Sequence, residues 1–542
     1  MGKEALADGN MTLALDRFLT ALVADPQRAR YRRKAFDVLG FVDGYGALPL
    51  PVVVILEDIA ADTTIEPQPI SRIAKNLLSA DVRYSALQHT LDQEPDVFAE
   101  AALNGHLDWI LGHGLLITAL RRTIIADEKL EHDLTRIRRN LILAPALKSS
   151  QIAERYSDFL LAMARHCVVT RHMWNELPDE KPALSTLVDT GQLPLHQIAI
   201  LKCCYYPLET LSLSEQSALP DLLKNILKTR THEAELAATL PQITSISAGL
   251  SQAMQSQYEC FPYPTWDHRK INAQMSWPEF LARVVPQQPY PTPKPEIVDI
   301  LIAGCGTGRY ALQLAQRLPG ARIRAFDLSR VSLGYAAHKA EEYGVHNLLF
   351  GVADIRMLAD LPKRFHFIEC SGVLHHMANP AEGLRALTGL LTPGGILYLS
   401  LYSERARQHV SMARQFVSTN EFSDDVEGLR AARAAIFSLP QSHPVRQISE
   451  TVDFYSADGI HDLLFNIHEC AFTPLSLKEL VDKSGLKFLG FELQNPADIV
   501  EFRTANPSEE LARNLDQWEE FEKSHPKIFV GMFQIWLQKP AE

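Results

Sequence analysis

Apolar positions recur at helical spacing through roughly the first 250 residues and at strand-like spacing beyond about residue 296. Leu130, Leu134, Ile137 and Leu141 stand three or four residues apart, as do Ile152, Tyr156, Phe159 and Met163. Such spacing puts each set on one helix face, and prolines punctuate the region without strand-like alternation. The pattern predicts an all-α domain over 41–250, with its apolar stripes forming core. The first forty residues read as a helical hairpin (1–40).

After this region the chain changes character. QYECFPYPTW, Gln257 to Trp266, is dense in aromatics and prolines, and QQPYPTPKP, Gln287 to Pro295, reads as a linker. Residues 251–295 therefore form a lead-in. From 296 to 542, short apolar runs alternate with helical ones, the mark of a parallel α/β sheet. IVDILIAG, ARIRAFDLS, NLLFGVAD, RFHFIECS and ILYLSLYS supply five strands, the last after the turn LTPGG. KFLGFELQ near Phe488 and IFVGMFQIWLQK near Phe533 bring the sheet to seven, with SLKELVDKSGL as the helix before the sixth. A long insertion at about 404–474 has the length of a lid or substrate element, and a second lies at about 495–528.

Composition narrows the possibilities. At 542 residues the chain exceeds one compact core, and 46% hydrophobic with 22% charged residues is ordinary for a globular protein. A formal net charge of -12 disfavours nucleic acid as a partner. The basic clusters RYRRK near Arg32 and RIRRN near Arg138 read as solvated helix faces. The opening MGKEALADGN has no signal-peptide pattern, and Leu6 stands where myristoylation needs Ser or Thr. No apolar run approaches the roughly 20 residues that span a bilayer, so no membrane partner is expected. The cysteines Cys167, Cys203, Cys204, Cys260, Cys305, Cys370 and Cys470 lack zinc-ligand spacing. Reduced thiols in a cytoplasm fit them, and no metal is expected.

The chemistry gathers at the strand ends. Gly304, Gly306 and Gly308 follow the first strand at GxGxG spacing, where a backbone must turn sharply and let a ligand approach. A dinucleotide site is the rival reading, but its GxGxxG pattern needs a third glycine where Arg309 stands. Asp327 closes the next strand about 20 residues on, placed for ribose hydroxyls. Asp354 closes the third, with Ile355 set to lie against an adenine ring. Any one of these aspartates reads equally well as a helix cap; the ordered series points to a nucleoside.

The segment Ile297 to Ser403 resembles the class I, Rossmann-like family of S-adenosylmethionine-dependent methyltransferases. The resemblance implies that Gly304, Gly306, Gly308, Asp327, Asp354 and Ile355 contact that cofactor, with Cys305, Thr307, Leu328, Ser371 and Tyr258 beside them. One departure stands out: many members carry an acidic residue two positions before the first loop glycine, and here it is Ile302. Asp299 lies far down the strand, and Glu259 is a candidate to meet the methionine amino group instead. QYECFPYPTW and DFYSADGIHDLLFNIHECAFT, Asp453 to Thr473, also resemble segments of bacterial methyltransferases with an N-terminal tetratricopeptide region. Ala14, Phe18, Ala21 and Pro26 match the spacing of one such repeat, whereas Leu48, Val52, Ile55 and Ala60, 34 residues on, lose its small residues and proline.

Methyl transfer requires an aligned nucleophile, a proton acceptor where the nucleophile is protonated, and exclusion of water. His375 and His376 after the fourth strand, Tyr402 at the end of the fifth, and His461 in the insertion are the catalytic candidates. His461, Asp462, His468 and Glu469 share a helix face by spacing and suggest a polar substrate wall or, less directly, a metal site. Tyr258, Phe261, Tyr263 and Trp266 offer aromatic faces to a sulfonium. The chain lacks the Asn-Pro-Pro-Tyr motif used on planar amide or amino nitrogens. The leading expectation is a methyltransferase acting on a protein side chain or small molecule, its substrate or a protein partner recruited by the helical region. Two others stand beside it: a scaffold that binds the cofactor without turnover, and a nicotinamide-dependent oxidoreductase.

Overall fold

Burial of the predicted apolar stripes builds two compact units. The computed structural model describes residues 11–42, 44, 46–143, 150–191, 193–267, 273–286 and 291–541. The opening MGKEALADGN, including Leu6, and the first four residues of QQPYPTPKP lie outside them.

The helical unit runs through Lys228 and takes in Glu421–Ile460 from the expected insertion. Its first described helices, Met11–Ala24 and Ala29–Phe41, pack against each other, burying Ala14, Phe18, Leu22, Ala35 and Phe36. Pro26 stands in the turn between these two helices. Leu130, Leu134, Ile137, Leu141, Ile152, Tyr156, Phe159 and Met163 are all buried in one continuous core. The RIRRN cluster departs from expectation. Arg138 is 2% exposed and pairs with Glu180 at 3.0 Å, because a facing carboxylate makes its burial tolerable.

Glu421–Ile460 joins this unit through charge pairing. Arg433, on the helix Val426–Ser438, donates two hydrogen bonds to the Glu131 carboxylate at 2.8 and 2.9 Å. Arg446 bonds Glu128, and Arg171 meets Asp458 at 3.0 Å.

The second unit holds the sheet. Its strands are β1 (Asp299–Ala303), β2 (Arg322–Asp327), β3 (Leu348–Val352), β4 (Phe365–Ser371), β5 (Leu391–Tyr402), β6 (Lys487–Phe491) and β7 (Met532–Gln538). All seven predicted strands form, in the order β3-β2-β1-β4-β5-β7-β6. β7 runs antiparallel to β5 and β6, and the remaining pairs are parallel. β1 is buried at every position, which is why it reads as an unbroken apolar run. One sheet face carries Ile300, Ile302, Phe367 and Trp536 under Trp277 and Phe280; the other carries Leu301, Ala303, Ile368 and Cys370.

The strand order reverses between β1 and β4, opening a crevice at their carboxyl ends. Thr229–Trp266, expected within or beside the all-α domain, belongs to this unit instead. There the backbone of Ile243 donates to Val352 at 2.8 Å along the β3 edge, and the helix Leu250–Cys260 follows. The second insertion forms the helices Pro496–Ala505, Glu509–Ala512 and Leu515–Ser524, which bury Phe502 against Trp518. Among the described residues all seven cysteines are free, and no helix is long and apolar enough to cross a membrane.

Candidate active site

The glycine loop follows β1 without an intervening residue, and its backbone departs from what side chains allow. Gly304 has φ 78°, and a Cβ there would lie 2.3 Å from Val373 Cγ2. Gly308, also at φ 78°, begins the helix Arg309–Arg317; a Cβ would meet that of Ala336 at 2.6 Å. The loop is tied to the tip of β2. Gly306 donates its N–H to Asp327 Oδ2 at 2.8 Å, and Ser329 N–H donates to Asp327 Oδ1 at 2.9 Å. Burial pushes the Asp327 carboxyl up despite these bonds. At the end of β3, Asp354 accepts Arg356 N–H at 2.9 Å and Ser247 N–H at 3.1 Å.

These groups border a cavity of about 460 Å³. Of the expected cofactor residues, Gly304, Cys305, Gly306, Asp327, Leu328, Asp354, Ile355, Ser371 and Tyr258 line it. Thr307, Gly308 and Glu259 do not. The Thr307 hydroxyl is turned to the Pro264 carbonyl, and Gly308 is closed off by Ala336. Among the aromatics, Tyr258 and Tyr263 line the cavity. Phe261 instead stacks on His461 at 4.2 Å, and Trp266 donates its indole N–H to the Thr307 carbonyl at 3.1 Å.

The catalytic candidates divide the same way. His376 and Tyr402 line the cavity; His375 and His461 lie behind it. His376 Nδ1 is 2.8 Å from the His468 carbonyl, which can only accept, so Nδ1 carries the proton and Nε2 keeps a lone pair. Burial pulls the His376 pKa down to about 4. His375 is fully buried, with neither ring nitrogen hydrogen-bonded, and it stacks on Tyr402 at 3.6 Å. The Arg407 guanidinium covers the Tyr402 ring at 3.5 Å. Opposite them, Tyr258 donates its hydroxyl hydrogen to Asp462 Oδ1 at 2.8 Å, and Asn466 donates to the Tyr258 oxygen at 3.2 Å. Burial raises the Asp462 carboxyl.

A family profile described as "Methyltransferase domain" matches residues 300–395, the span from β1 into β5. This is an S-adenosylmethionine-dependent methyltransferase domain. An uncharacterised protein of Synechococcus sp. is 27% identical over 304 residues, covering 52% of this chain and 72% of that protein. Ubiquinone biosynthesis O-methyltransferase of Chromobacterium violaceum is 32% identical over 111 residues, covering 20% of this chain and 47% of that enzyme. The chain thus spans about half the length of that relative. The solved structure of PKMT2 from Rickettsia typhi in complex with AdoHcy aligns at a TM-score of 0.36 and 17% identity, over 46% of this chain and 50% of that one.

Within the methyltransferase domain and its attached segments, one further placement departs from the sequence reading. His461, Asp462, His468 and Glu469 do not share a helix face, because the helical turn ends at Phe465. Glu469 is held by Arg407 at 3.5 Å and Arg414 at 3.4 Å, so the four are not gathered as metal ligands. As the sequence reading expects, Asp299 lies at the opposite end of β1 from the glycine loop, bound to Arg322 at 2.8 Å and Lys363 at 2.9 Å. Met254, Met377 and Met532 also line the cavity. Their only sequence signal is apolarity, which core residues share. Glu369, on β4, is 2% exposed and in register with Ile302. Its signal in the sequence is one acidic residue inside an apolar strand that leads into His375 and His376.

Proposed function

We propose that this chain transfers the methyl group of S-adenosylmethionine to a protein side chain or small molecule, with the acceptor recruited by the helical unit. The observation that carries the reading is a single cavity bounded by the positive-φ glycine loop, carboxylates on the tips of β2 and β3, and the polar groups of His376, Tyr258 and Asp462. In this reading Gly304, Cys305 and Gly306 offer backbone groups to the methionine part, Asp327 accepts the ribose hydroxyls, and Asp354 with Ile355 meets the adenine. Bound there, the sulfonium supplies an electrophilic methyl carbon and leaves as a neutral thioether.

The chain's own residues align the acceptor and keep water out. His376 offers the Nε2 lone pair to an acceptor proton, and the Tyr258–Asp462 pair fixes a second hydrogen-bonding point. Tyr402, covered by Arg407, presents an aromatic face. His375 and His461 are assigned packing roles behind these groups. The hairpin at the chain start supports a tetratricopeptide-like character for the helical unit, and the free thiols support a cytoplasmic setting.

A cofactor-binding scaffold without turnover is favoured by one observation: burial leaves His376 a weak base. Incubation with methyl-labelled adenosylmethionine and host lysate, followed by size separation, separates the readings. Label in a protein band or a small-molecule fraction, lost in Gly304→Val, supports transfer. Saturable binding of the demethylated cofactor with no label transferred supports the scaffold.

A further inference from the structure

We propose that His232, His338 and Glu341 form a site for a divalent transition cation of the zinc class, which pins residues 229–239 to the helix that follows β2. One nitrogen of each histidine and one carboxylate oxygen of Glu341 lie within 4.8 Å of one another. All three belong to one compact unit, because Thr229–Trp266 folds with the sheet. None of them borders the cavity, so the site stands apart from the cofactor reading.

Local sequence brings these groups together. His232 and Glu235 stand three positions apart on the helix Asp221–Thr239, and His338 and Glu341 repeat that spacing on the helix Arg330–Glu342. Residues three apart are neighbours on a helix surface, so each helix presents a histidine beside a carboxylate. Gly334, one turn before His338, lets the two helices meet. A Cβ there would lie 2.4 Å from the Glu233 carbonyl oxygen and 2.8 Å from Ala237 Cβ. Arg330 fastens the same contact, donating to the carbonyls of Ala237 at 3.2 Å and Leu240 at 2.9 Å.

The orientation of His232 is that of a ligand. Its Nε2 lies 2.7 Å from Glu341 Oε2, and its Nδ1 faces Glu235 Oε2 at 3.5 Å. A carboxylate behind one ring nitrogen fixes the tautomer of metal-binding histidines and leaves the other nitrogen's lone pair to the metal. That lone pair would point at an anionic oxygen of Glu341, a contact that a cation between them makes favourable. His338 Nδ1 is buried and has no hydrogen bond among the described residues. Its ring stands edge-on to His232, with centroids 5.5 Å apart. Among the described residues no lysine or arginine pairs with Glu235 or Glu341, and Lys339 is turned to Glu342 at 2.9 Å. Two imidazoles and a carboxylate are a zinc-type donor set that leaves a fourth position for water. Tetrahedral bonds of about 2.0–2.2 Å put the donors about 3.5 Å apart, so small side-chain movements suffice. The cysteine spacing that spoke against a metal does not bear on this set.

Zinc chloride titrated into the chelator-stripped full chain, in competition with a chromophoric chelator, is expected to bind one-to-one at micromolar concentration and to raise the unfolding temperature. His338→Ala and His232→Ala should each weaken binding about 100-fold or more and abolish the thermal shift. Glu235→Gln, which acts on the metal only through His232, should cost about 10-fold. His232 and Glu235 are 44% and 71% exposed, so neither substitution opens the core. Should His338→Ala not fold, His232→Ala decides alone. The inference is overturned if the wild-type chain shows no saturable zinc binding, or if the histidine variants bind as wild type does, which would assign the metal to the exposed Cys260 or another group.

Discussion

The two ends of the sheet treat buried acids in opposite ways. At the amino end of β1, Asp299 is 7% exposed and surrounded by cations. Burial alone would raise its pKa, but bonds from Arg322 and Lys363 hold it below the usual carboxylate range. At the carboxyl ends, Glu369 is buried and Asp327 half-buried; both lack such cations and are pushed upward. The first arrangement is self-sufficient and stabilises the folded chain. The second leaves the charge of Asp327, which borders the cavity, to be matched by what binds there, which is how a binding site differs electrostatically from a structural ion pair. Glu131 in the helical unit also carries a built-in cation, Arg433 bonded to both its oxygens, although burial still raises its carboxyl.

Removing a built-in cation should give the largest effect. Arg433→Met leaves Glu131 buried without its partner and should cost about 3–5 kcal/mol in unfolding free energy, measured by denaturant titration. Loss below about 1 kcal/mol would mean that the pair is not what fixes Glu421–Ile460 in the helical unit.

The opposite sign is expected at Glu369. Its folded-state pKa of about 7 lies above the ordinary Glu value of 4.5, so the folded chain holds the proton more tightly. Stability of the ligand-free protein should therefore fall as pH rises from 4.5 through 7, by about 3 kcal/mol from this group. Glu369→Gln should flatten that part of the profile and stabilise the apo protein at pH 8. An unchanged profile would erase the contrast between the two ends.

Asp299→Asn should act more weakly, because Arg322 is 58% exposed and solvent screens the pair. About 1 kcal/mol of stability should be lost above pH 4, with the loss shrinking as pH falls through the depressed folded-state pKa. Affinity for S-adenosylhomocysteine should not change; a change would show that the amino end is coupled to the site.

The smallest effect concerns His376. With a pKa near 4 it stays neutral across ordinary buffers, so turnover that needs its lone pair should be flat from pH 6 to 9 and fall only below about 5. A titration centred near 6.5 would show a histidine with ordinary solvation.

Much of the sheet was legible because local signals carry it. Seven apolar runs became seven strands, and Gly304, Asp327 and Asp354 reached the strand tips because each closes or follows such a run. What was not legible depends on pairing between distant residues. Glu131 and Arg433 lie 302 positions apart, so nothing local announces that the middle of the insertion joins the helical unit. Arg138 looked like part of a solvated cluster because Glu180, its partner, lies 42 positions away. The register that sets Glu369 beside Ile302 is likewise a property of the folded sheet. The shared face assigned to His461 through Glu469 failed for a local reason: helix spacing was carried past Phe465, where the helix stops.

Calorimetric titration of the wild-type chain with S-adenosylhomocysteine, run beside a nicotinamide dinucleotide, tests the account most directly. Saturable one-to-one binding of the first, no heat from the second, and loss of binding in Gly304→Val are the predicted results. Dinucleotide binding without affinity for S-adenosylhomocysteine would contradict it.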